Sequence, residues 1–301
     1  MNEVSLLRPG VALPFLLVSL IWGSTWWVIT GQISDVPASW SVAWRFLMAT
    51  PAMFAVALAM GRSLKLGRDG QVLAILVGVT QFCGNYNFVY RAELHLTSGI
   101  VAVMIALLLV PNAILARFLL GQTVTRRFLV GSAIALGGIG LLLLHEAREA
   151  PVGGKVWLGV AFALIAMLCA SVSNVIQANE TGQKLPMVSL LAWAMFYGTV
   201  CDVALAWITA GPPVLPREPE YWLGTGYLAV FGSVVTFPLY YTLIRQLGAG
   251  KAAYNGVAVV VIAMLLSTLL EGYRWSLLAA AGAALAMAGL IVALSARRPA
   301  A

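Results

Sequence analysis

The sequence predicts an all-α integral membrane protein with ten transmembrane helices, arranged as two inverted five-helix repeats. Its composition, ten apolar segments of spanning length and an internal repeat all support this fold class. Of the 301 residues, 61% are hydrophobic and only 10% are charged. A soluble domain of this length has too little interior to bury so much apolar surface, so the chain is expected to lie in a lipid bilayer.

Ten apolar segments are each long enough to cross a membrane. A helix needs roughly 20 residues to cross roughly 30 Å of hydrocarbon. The segments lie at residues 11–30, 38–59, 71–90, 97–119, 126–145, 156–178, 187–210, 221–244, 251–270 and 275–296. The connections between them are short, so no soluble domain is expected.

Basic residues are unevenly distributed among these connections, and they predict the orientation. With both termini on one side, that side carries twelve of them: Arg8, Arg62, Lys65, Arg68, Arg117, Arg126, Arg127, Lys184, Arg245, Lys251, Arg297 and Arg298. The other side carries five: Arg91, Arg148, Lys155, Arg217 and Arg274. Because cytoplasmic connections are enriched in Lys and Arg, we expect a protein of the cell inner membrane with both termini in the cytoplasm.

The chain also repeats itself at an offset of 151 residues. The aligned pairs are Tyr90 with Tyr241, Leu96 with Leu247, Gly99 with Gly250, Gly121 with Gly272, Gly131 with Gly282 and Gly138 with Gly289. The first repeat is predicted at 9–147 and the second at 154–297. Each holds five spans, an odd number, so the second enters the membrane from the opposite side. Such inverted repeats are typical of transporters that alternate access to a central site between the halves.

Several other functions are disfavoured by the sequence. The net charge of +7 does not indicate nucleic-acid binding, because the basic residues lie between apolar segments and act as topology signals. The sequence contains no CxxC, HExxH or G-x-S-x-G motif and no pair of intramembrane aspartates, and His95 and His145 lie at span ends. We therefore expect no cofactor, no metal site and no enzymatic activity. A membrane enzyme or structural subunit is the remote alternative.

Four stretches resemble the drug/metabolite transporter superfamily, EamA type. They are "LIWGSTWWV" in the first span, "AWRF" at 43–46, "LTSGIVAVMIALLLVPNAILARFLLGQTVTRR" at 96–127 and "LGAGKAAYNGVAVVVIAML" at 247–265. The last two are similar to the fourth and ninth helices of that fold. Within the superfamily, the aromatic-rich helices most resemble YddG-type exporters of aromatic amino acids. The resemblance implies a ten-helix metabolite transporter.

The chain departs from that family pattern at two helix ends. Many members carry Gly-Glu after the fourth and ninth helices, whereas this chain has Gly121-Gln122, and Glu271 precedes Gly272. Both positions lie at the membrane edge. We therefore expect them to alter helix-end contacts rather than substrate choice.

Amides and aromatic rings occur deep within spans one, three, six and nine and predict a wet cavity. The stretch "QFCGNYNFVY" (81–90) places amides on two faces of a helix, which cannot then lie comfortably against lipid. The amides of this stretch are therefore expected to face water and solute. Spans five and ten carry essentially no such groups and are expected to form an outer scaffold. The candidate binding and translocation residues are Trp22, Trp26, Arg45, Gln81, Asn85, Tyr86, Asn174, Gln177, Tyr254 and Asn255. Hydrogen bonding between helices and packing within the bundle are the alternatives.

Two charged side chains lie within spans. Arg45 could hold a substrate carboxylate through two hydrogen bonds, or it could bind backbone carbonyls at a helix break. Asp202 could pair with a neighbouring helix or could couple transport to protons. The first span has no carboxylate, which disfavours an antiporter of lipophilic cations.

Together these features predict a secondary transporter that exports amino acids, mainly aromatic and other large apolar ones. The expected partners are this small-molecule substrate and the lipid bilayer. A monomer is one of the oligomeric states that the sequence leaves open. Another small metabolite or a drug, carried on the same fold, is the alternative substrate.

Overall fold

The computed structural model describes residues 9–121, 124–149, 155–247 and 254–294, and this part of the chain contains helices and no strands. Nine helical segments within it are long and apolar enough to cross a membrane, and a shorter apolar helix covers Asn255–Leu270. The fold class predicted from the sequence, a ten-helix membrane protein, is thereby confirmed.

The helices follow the predicted spans closely. In chain order they are α1 (Pro9–Gln32), α2 (Ala38–Ala59), α3 (Gly67–Val77), α4 (Tyr86–Glu93), α5 (Ser98–Ala106), α6 (Leu109–Leu120), α7 (Arg126–Glu149), α8 (Val156–Gln177), α9 (Glu180–Lys184), α10 (Met187–Ala210), α11 (Pro219–Ala229), α12 (Thr236–Leu247), α13 (Tyr254–Leu270) and α14 (Leu277–Leu294). Two further segments are π-helical: π1 (Gly78–Asn85) joins α3 to α4, and π2 (Val230–Val235) joins α11 to α12.

The chain forms two compact units. The first comprises residues up to Trp27, His95–Val160 and the chain from Thr236 onward, and the second comprises Val28–Leu94 and Ala161–Val235. Each unit therefore draws residues from both predicted repeats. The repeat boundaries at 9–147 and 154–297 describe the sequence and remain a prediction.

In the first unit, α7 and α14 pack backbone against backbone through glycine. A Cβ added to Gly138 would lie 2.2 Å from the Ala286 nitrogen, and one added to Gly289 would lie 2.2 Å from the Ala135 nitrogen. The offset of 151 residues relates Gly138 to Gly289 and Ala135 to Ala286, so the two contacts are equivalent. Such reciprocal contacts are what a twofold relation between repeats produces. These glycines serve the close approach of two membrane helices.

The fourth span is broken because of its proline. Pro111 has no N–H, and its ring crowds the carbonyl of the residue four positions earlier, which is Leu107. Accordingly α5 ends at Ala106 and α6 begins at Leu109, and tight backbone bonds such as Leu107 N to Met104 O (3.0 Å) fill the gap.

Glu271 forms helix-end contacts, as its departure from the family pattern predicted. Its carboxylate accepts hydrogen bonds from the Ser98 backbone N–H (3.1 Å) and the Ser98 hydroxyl, and also from Ser267 Oγ at 3.0 Å. Glu271 thus caps α5 from the end of α13. Gln122, the other departure, lies outside the described residues.

The two π segments occupy equivalent places in the two predicted repeats. The offset of 151 residues carries 78–85 onto 229–236, and π2 covers Val230–Val235. In the second unit, π1 lies tightly on α10: an added Cβ at Gly78 would be 2.5 Å from the Ala194 carbonyl oxygen. A π segment widens the helix and shifts the direction of the side chains that follow it.

Candidate functional site

Arg45 lies at the centre of a cluster in the second unit. Its side chain is 2% exposed. It donates to Ser233 Oγ from Nε (3.3 Å) and Nη2 (3.1 Å), and to the Tyr90 hydroxyl from Nη1 at 3.4 Å. Its Cζ atom lies 4.5 Å from the centre of the Tyr86 ring. Among the described residues, the hydrogen-bond partners of the guanidinium are therefore neutral hydroxyls.

The two π segments bring these partners to Arg45. Ser233 lies within π2, and Tyr86 is the first residue after π1. Arg45 therefore contacts a residue within π2 and the residue directly after π1. Glu93 also acts on Arg45 electrostatically. The guanidinium is thus held by hydroxyls and lies in the field of a nearby acid.

Aromatic rings surround the Tyr86 side of this cluster. The Phe46 ring meets Tyr86 edge to face, with centroids 4.9 Å apart, and Phe82 at 5.3 Å. Phe82 and Tyr86 lie nearly parallel, with an interplanar angle of 5°. The second unit thus places apolar ring surface beside a buried cation.

The predicted amides of the second unit are placed differently from one another. Gln81 and Asn174 are half-buried, whereas Asn85 is 7% exposed. The Asn85 Oδ1 atom is buried and accepts no hydrogen bond from the described residues. Gln177 donates to Ser173 Oγ at 3.0 Å within its own helix. No hydrogen bond between described residues joins Gln81, Asn85 and Asn174, so the structure does not assemble them into one polar network.

The predicted residues of the first unit are divided between ring contacts and helix pairing. Trp22 contacts the Tyr240 ring (centroids 5.0 Å apart) and the Phe237 ring (5.7 Å). Asn255 is fully buried and donates to Ser19 Oγ (2.7 Å) and the Phe15 carbonyl (3.0 Å), so it ties α13 to α1.

Trp26 and Tyr254 are the other candidate residues predicted in this unit. Trp26 is half-buried, and its buried Nε1 has no acceptor among the described residues. The side chain of Tyr254 lies outside the described residues.

Asn87 does not face a cavity, contrary to the interpretation of all amides at 81–90 as water-facing. It is 1% exposed and donates to Asp202 Oδ1 at 2.7 Å and to the Cys83 carbonyl at 3.0 Å. This hydrogen bond joins the third span to the seventh. It gives each of the two buried polar groups a partner. Asp202 therefore has the neighbouring-helix partner that one of its two interpretations predicts.

Sequence reasoning missed Ser233, Phe46 and Phe82 as members of the Arg45 cluster, and it selected Tyr90 only as a repeat marker. A single serine in an apolar span carries no signal of its own. Phe46 was detectable as a neighbour of Arg45, because "AWRF" places it directly after the arginine. Within the described ranges, no group of three His, Cys, Asp or Glu side chains could hold a metal ion.

We expect the amide positions Asn85 and Asn174 to be reachable from water if they line the transport path. Cysteines introduced at Asn85 and Asn174, with Cys83, Cys169 and Cys201 replaced by serine, should react with membrane-impermeant thiol reagents. A cysteine at the fully buried Ser189 is the matched control and should stay protected. Protection of both test positions in every condition, with and without solute, would contradict the cavity interpretation.

The fold defines a class of protein: a multi-span membrane protein with repeat-related distortions in two of its spans. The model of the EamA-like transporter family matches residues 10–144 and 157–295. The chain therefore belongs to the EamA-like transporter family and is a membrane transporter.

Its relatives have the same general character. The chain is 29% identical to the inner membrane transporter YedA of Escherichia coli K12 over 84% of this chain and 80% of YedA. It is 22% identical to protein PagO of Salmonella typhimurium LT2 over 89% of this chain and 88% of PagO. It is 24% identical to the transporter YyaM of Bacillus subtilis 168 over 83% and 82% of the two chains. A solved crystal structure that is 22% identical shares the fold, with a TM-score of 0.67 over 93% of this chain and 95% of that one.

Proposed function

We propose that this transporter exports amino acids, mainly aromatic and other large apolar ones, and that it has no enzymatic activity. One observation carries the proposal: among the described residues, the buried Arg45 guanidinium donates its hydrogen bonds to the neutral hydroxyls of Ser233 and Tyr90. A solute carboxylate can therefore take the place of Ser233 and Tyr90 as its hydrogen-bond partner.

The chemistry of a free amino acid matches this cluster. Moving a zwitterion across lipid unaided means removing water from two charges, at a cost far above thermal energy. A guanidinium offers a carboxylate two parallel, charge-assisted hydrogen bonds, which offset much of that cost. Because Ser233 and Tyr90 compete for the same donors, binding stays weak enough for release.

Ring surface beside Arg45 favours an apolar side chain on that amino acid. Phe46, Phe82 and Tyr86 lie next to the guanidinium in the second unit. Aromatic pairs contribute roughly 0.5–1.5 kcal/mol beyond the burial of their area. The amides of Gln81, Asn85 and Asn174 are suited to the ammonium group and its water.

The alternative is another small metabolite or a drug on the same fold. A phosphorylated solute would favour several buried cations, and Arg45 is the single Lys or Arg that is buried among the described residues. A lipophilic cation would favour an acid in the first span, and α1 has none. The cytoplasmic termini, the inner membrane location and the central cavity between the two sequence halves remain predictions.

Purified protein in liposomes tests the substrate. Vesicles loaded with unlabelled tryptophan should take up labelled tryptophan or phenylalanine by exchange, and an excess of leucine or methionine should compete. Protein-free vesicles give the leak rate, and glucose serves as a control solute. If sugars or cationic drugs exchange while large apolar amino acids neither exchange nor compete, the proposed substrate is wrong.

A further inference from the structure

Asp202 is a carboxylate buried deep in the seventh span, where the proposed solute contacts do not use it. It is fully buried and lies eight residues before Ala210, the last residue of α10. That separation places it about 12 Å from the end of the helix at about 1.5 Å per residue. Acids at such depth are rare and costly, and they often mark proton pathways.

Two side chains of the third span are hydrogen-bond partners of this carboxylate. Oδ1 accepts the hydrogen bond from Asn87 Nδ2 at 2.7 Å. Oδ2 is buried without a nitrogen or oxygen donor among the described residues, and the Cys83 thiol is a further, weak partner of the carboxylate. A neutral amide at this position could accept the same hydrogen bond from Asn87. A group that served only to join two helices would therefore not need to be an acid.

The charged and titratable groups around Asp202 are few. Cys83, from π1, and Cys201, from its own helix, interact with the carboxylate electrostatically. From the second span, the donors of Arg45 are directed to Ser233 and Tyr90 instead. Arg91 is the cation linked to this group, and it reaches Asp202 only through Asn87.

This link forms a hydrogen-bonded chain from the end of the third span to the buried acid. Arg91 is half-buried, two residues before the end of α4, and its Nη1 donates to Asn87 Oδ1 at 3.2 Å. The same Asn87 side chain donates to Asp202. The chain connects the half-buried Arg91 near the end of α4 with the buried carboxylate through polar side chains.

π1 and the residues after it connect this acid to the proposed solute contact. Cys83 lies within π1, and Asn87 is the second residue after the end of π1. Between them, Tyr86 stacks on Arg45 at 4.5 Å. A displacement of this segment when a carboxylate binds Arg45 therefore also moves the donor that holds Asp202.

We propose that Asp202 is the proton-binding residue that couples export to the entry of protons. This role rests on the proposed function and supplies the driving force for export. A proton binds a carboxylate oxygen of Asp202 from the outer side, forming an O–H bond, and that bond breaks to release the proton to the inner side as solute moves outward. A carboxylate that alternates between a dry and a wet environment takes up and releases a proton, because its negative charge is costly only in the dry environment.

The test separates gradient-driven accumulation from exchange in liposomes. A gradient of one pH unit should sustain up to about tenfold accumulation of tryptophan for each coupled proton. Asp202→Asn keeps an acceptor for Asn87 but cannot exchange a proton. It should therefore lose accumulation, leaving equal concentrations on both sides, while exchange of labelled for unlabelled tryptophan continues. Retained accumulation by Asp202→Asn would overturn the proposal.

Two further measurements keep the result decisive. Thr199→Val, one turn earlier on α10, removes the 2.8 Å hydrogen bond to Thr50 without touching a titratable group, and it should retain accumulation. If Asp202→Asn does not fold, proton movement by the unmodified protein decides: net transport of tryptophan down its own gradient without any accompanying proton flux overturns the coupling. Absence of exchange in the unmodified protein would instead count against the proposed substrate.

Discussion

Replacing Arg45 by glutamine should slow tryptophan transport about thirtyfold and leave transport of tryptamine nearly unchanged. Tryptamine has the same ring and amine but no carboxylate, so only tryptophan can pair with the guanidinium. A hydrogen bond to a charged group contributes about 2 kcal/mol, and every 1.4 kcal/mol is about a tenfold change. The expected observable is the ratio of the two rates, which protein amount and orientation in the vesicle do not affect.

Glutamine is the appropriate replacement because it can still reach neutral hydroxyls. It keeps a donor for Ser233 and Tyr90 while removing the charge and the forked geometry. Arg45→Lys keeps the charge but not the two parallel donors, and should lose about tenfold of the preference for tryptophan. Thr50→Val on the same helix is the control and should preserve the preference. An unchanged ratio in Arg45→Gln would show that the carboxylate binds elsewhere.

The spans were predictable because lipid imposes one requirement along the entire chain. Every segment that crosses it must be apolar for about 20 residues, and that signal needs no knowledge of contacts. The predicted segment 126–145 and the helix Arg126–Glu149 therefore begin at the same residue. The paired glycines were visible for a similar reason, since a backbone contact between α7 and α14 tolerates no Cβ on either side.

The π segments were not predictable from the same signal. The assignment of the amides at 81–90 to two helix faces assumed 3.6 residues per turn, whereas 78–85 is π-helical and wider. No composition rule marks such a segment, because it depends on what the neighbouring helix allows. Here the contact of Gly78 with α10 fixes the backbone, and both residues of that contact look ordinary in sequence.

The sequence predicted candidate residues for the site by their type, but not which side chains bond to one another. Arg45 was selected because a charge within a span needs an explanation, and the structure supplies hydroxyls from two different spans. Asn85 and Asn87 look alike in sequence and are two residues apart, yet Asn87 pairs with Asp202 while the Asn85 Oδ1 accepts no described hydrogen bond. The difference comes from the opposing surface of α10, which a single sequence does not reveal.

The glycine contact between α7 and α14 leads to the largest expected effect on stability. Gly138→Val would place its Cβ 2.2 Å from the Ala286 nitrogen and 2.6 Å from the Gly282 carbonyl oxygen. Both atoms are backbone, so the helices must separate and lose contact along their length. Overpacking of this kind costs typically about 1–3 kcal/mol, and the absence of any side chain that could yield favours the upper end of that range.

Gly140 provides the matched control on the same helix, because a Cβ added there meets nothing within 4 Å. Gly140→Val has the same change in helix propensity and should unfold close to the unmodified protein in a thermal scan in detergent. Gly289→Val, the equivalent position in the other repeat, should lower the midpoint as much as Gly138→Val does, because both meet a backbone nitrogen at 2.2 Å. Unequal losses at these two positions would contradict the reciprocal packing, and equal tolerance of Gly138→Val and Gly140→Val would contradict the close approach itself.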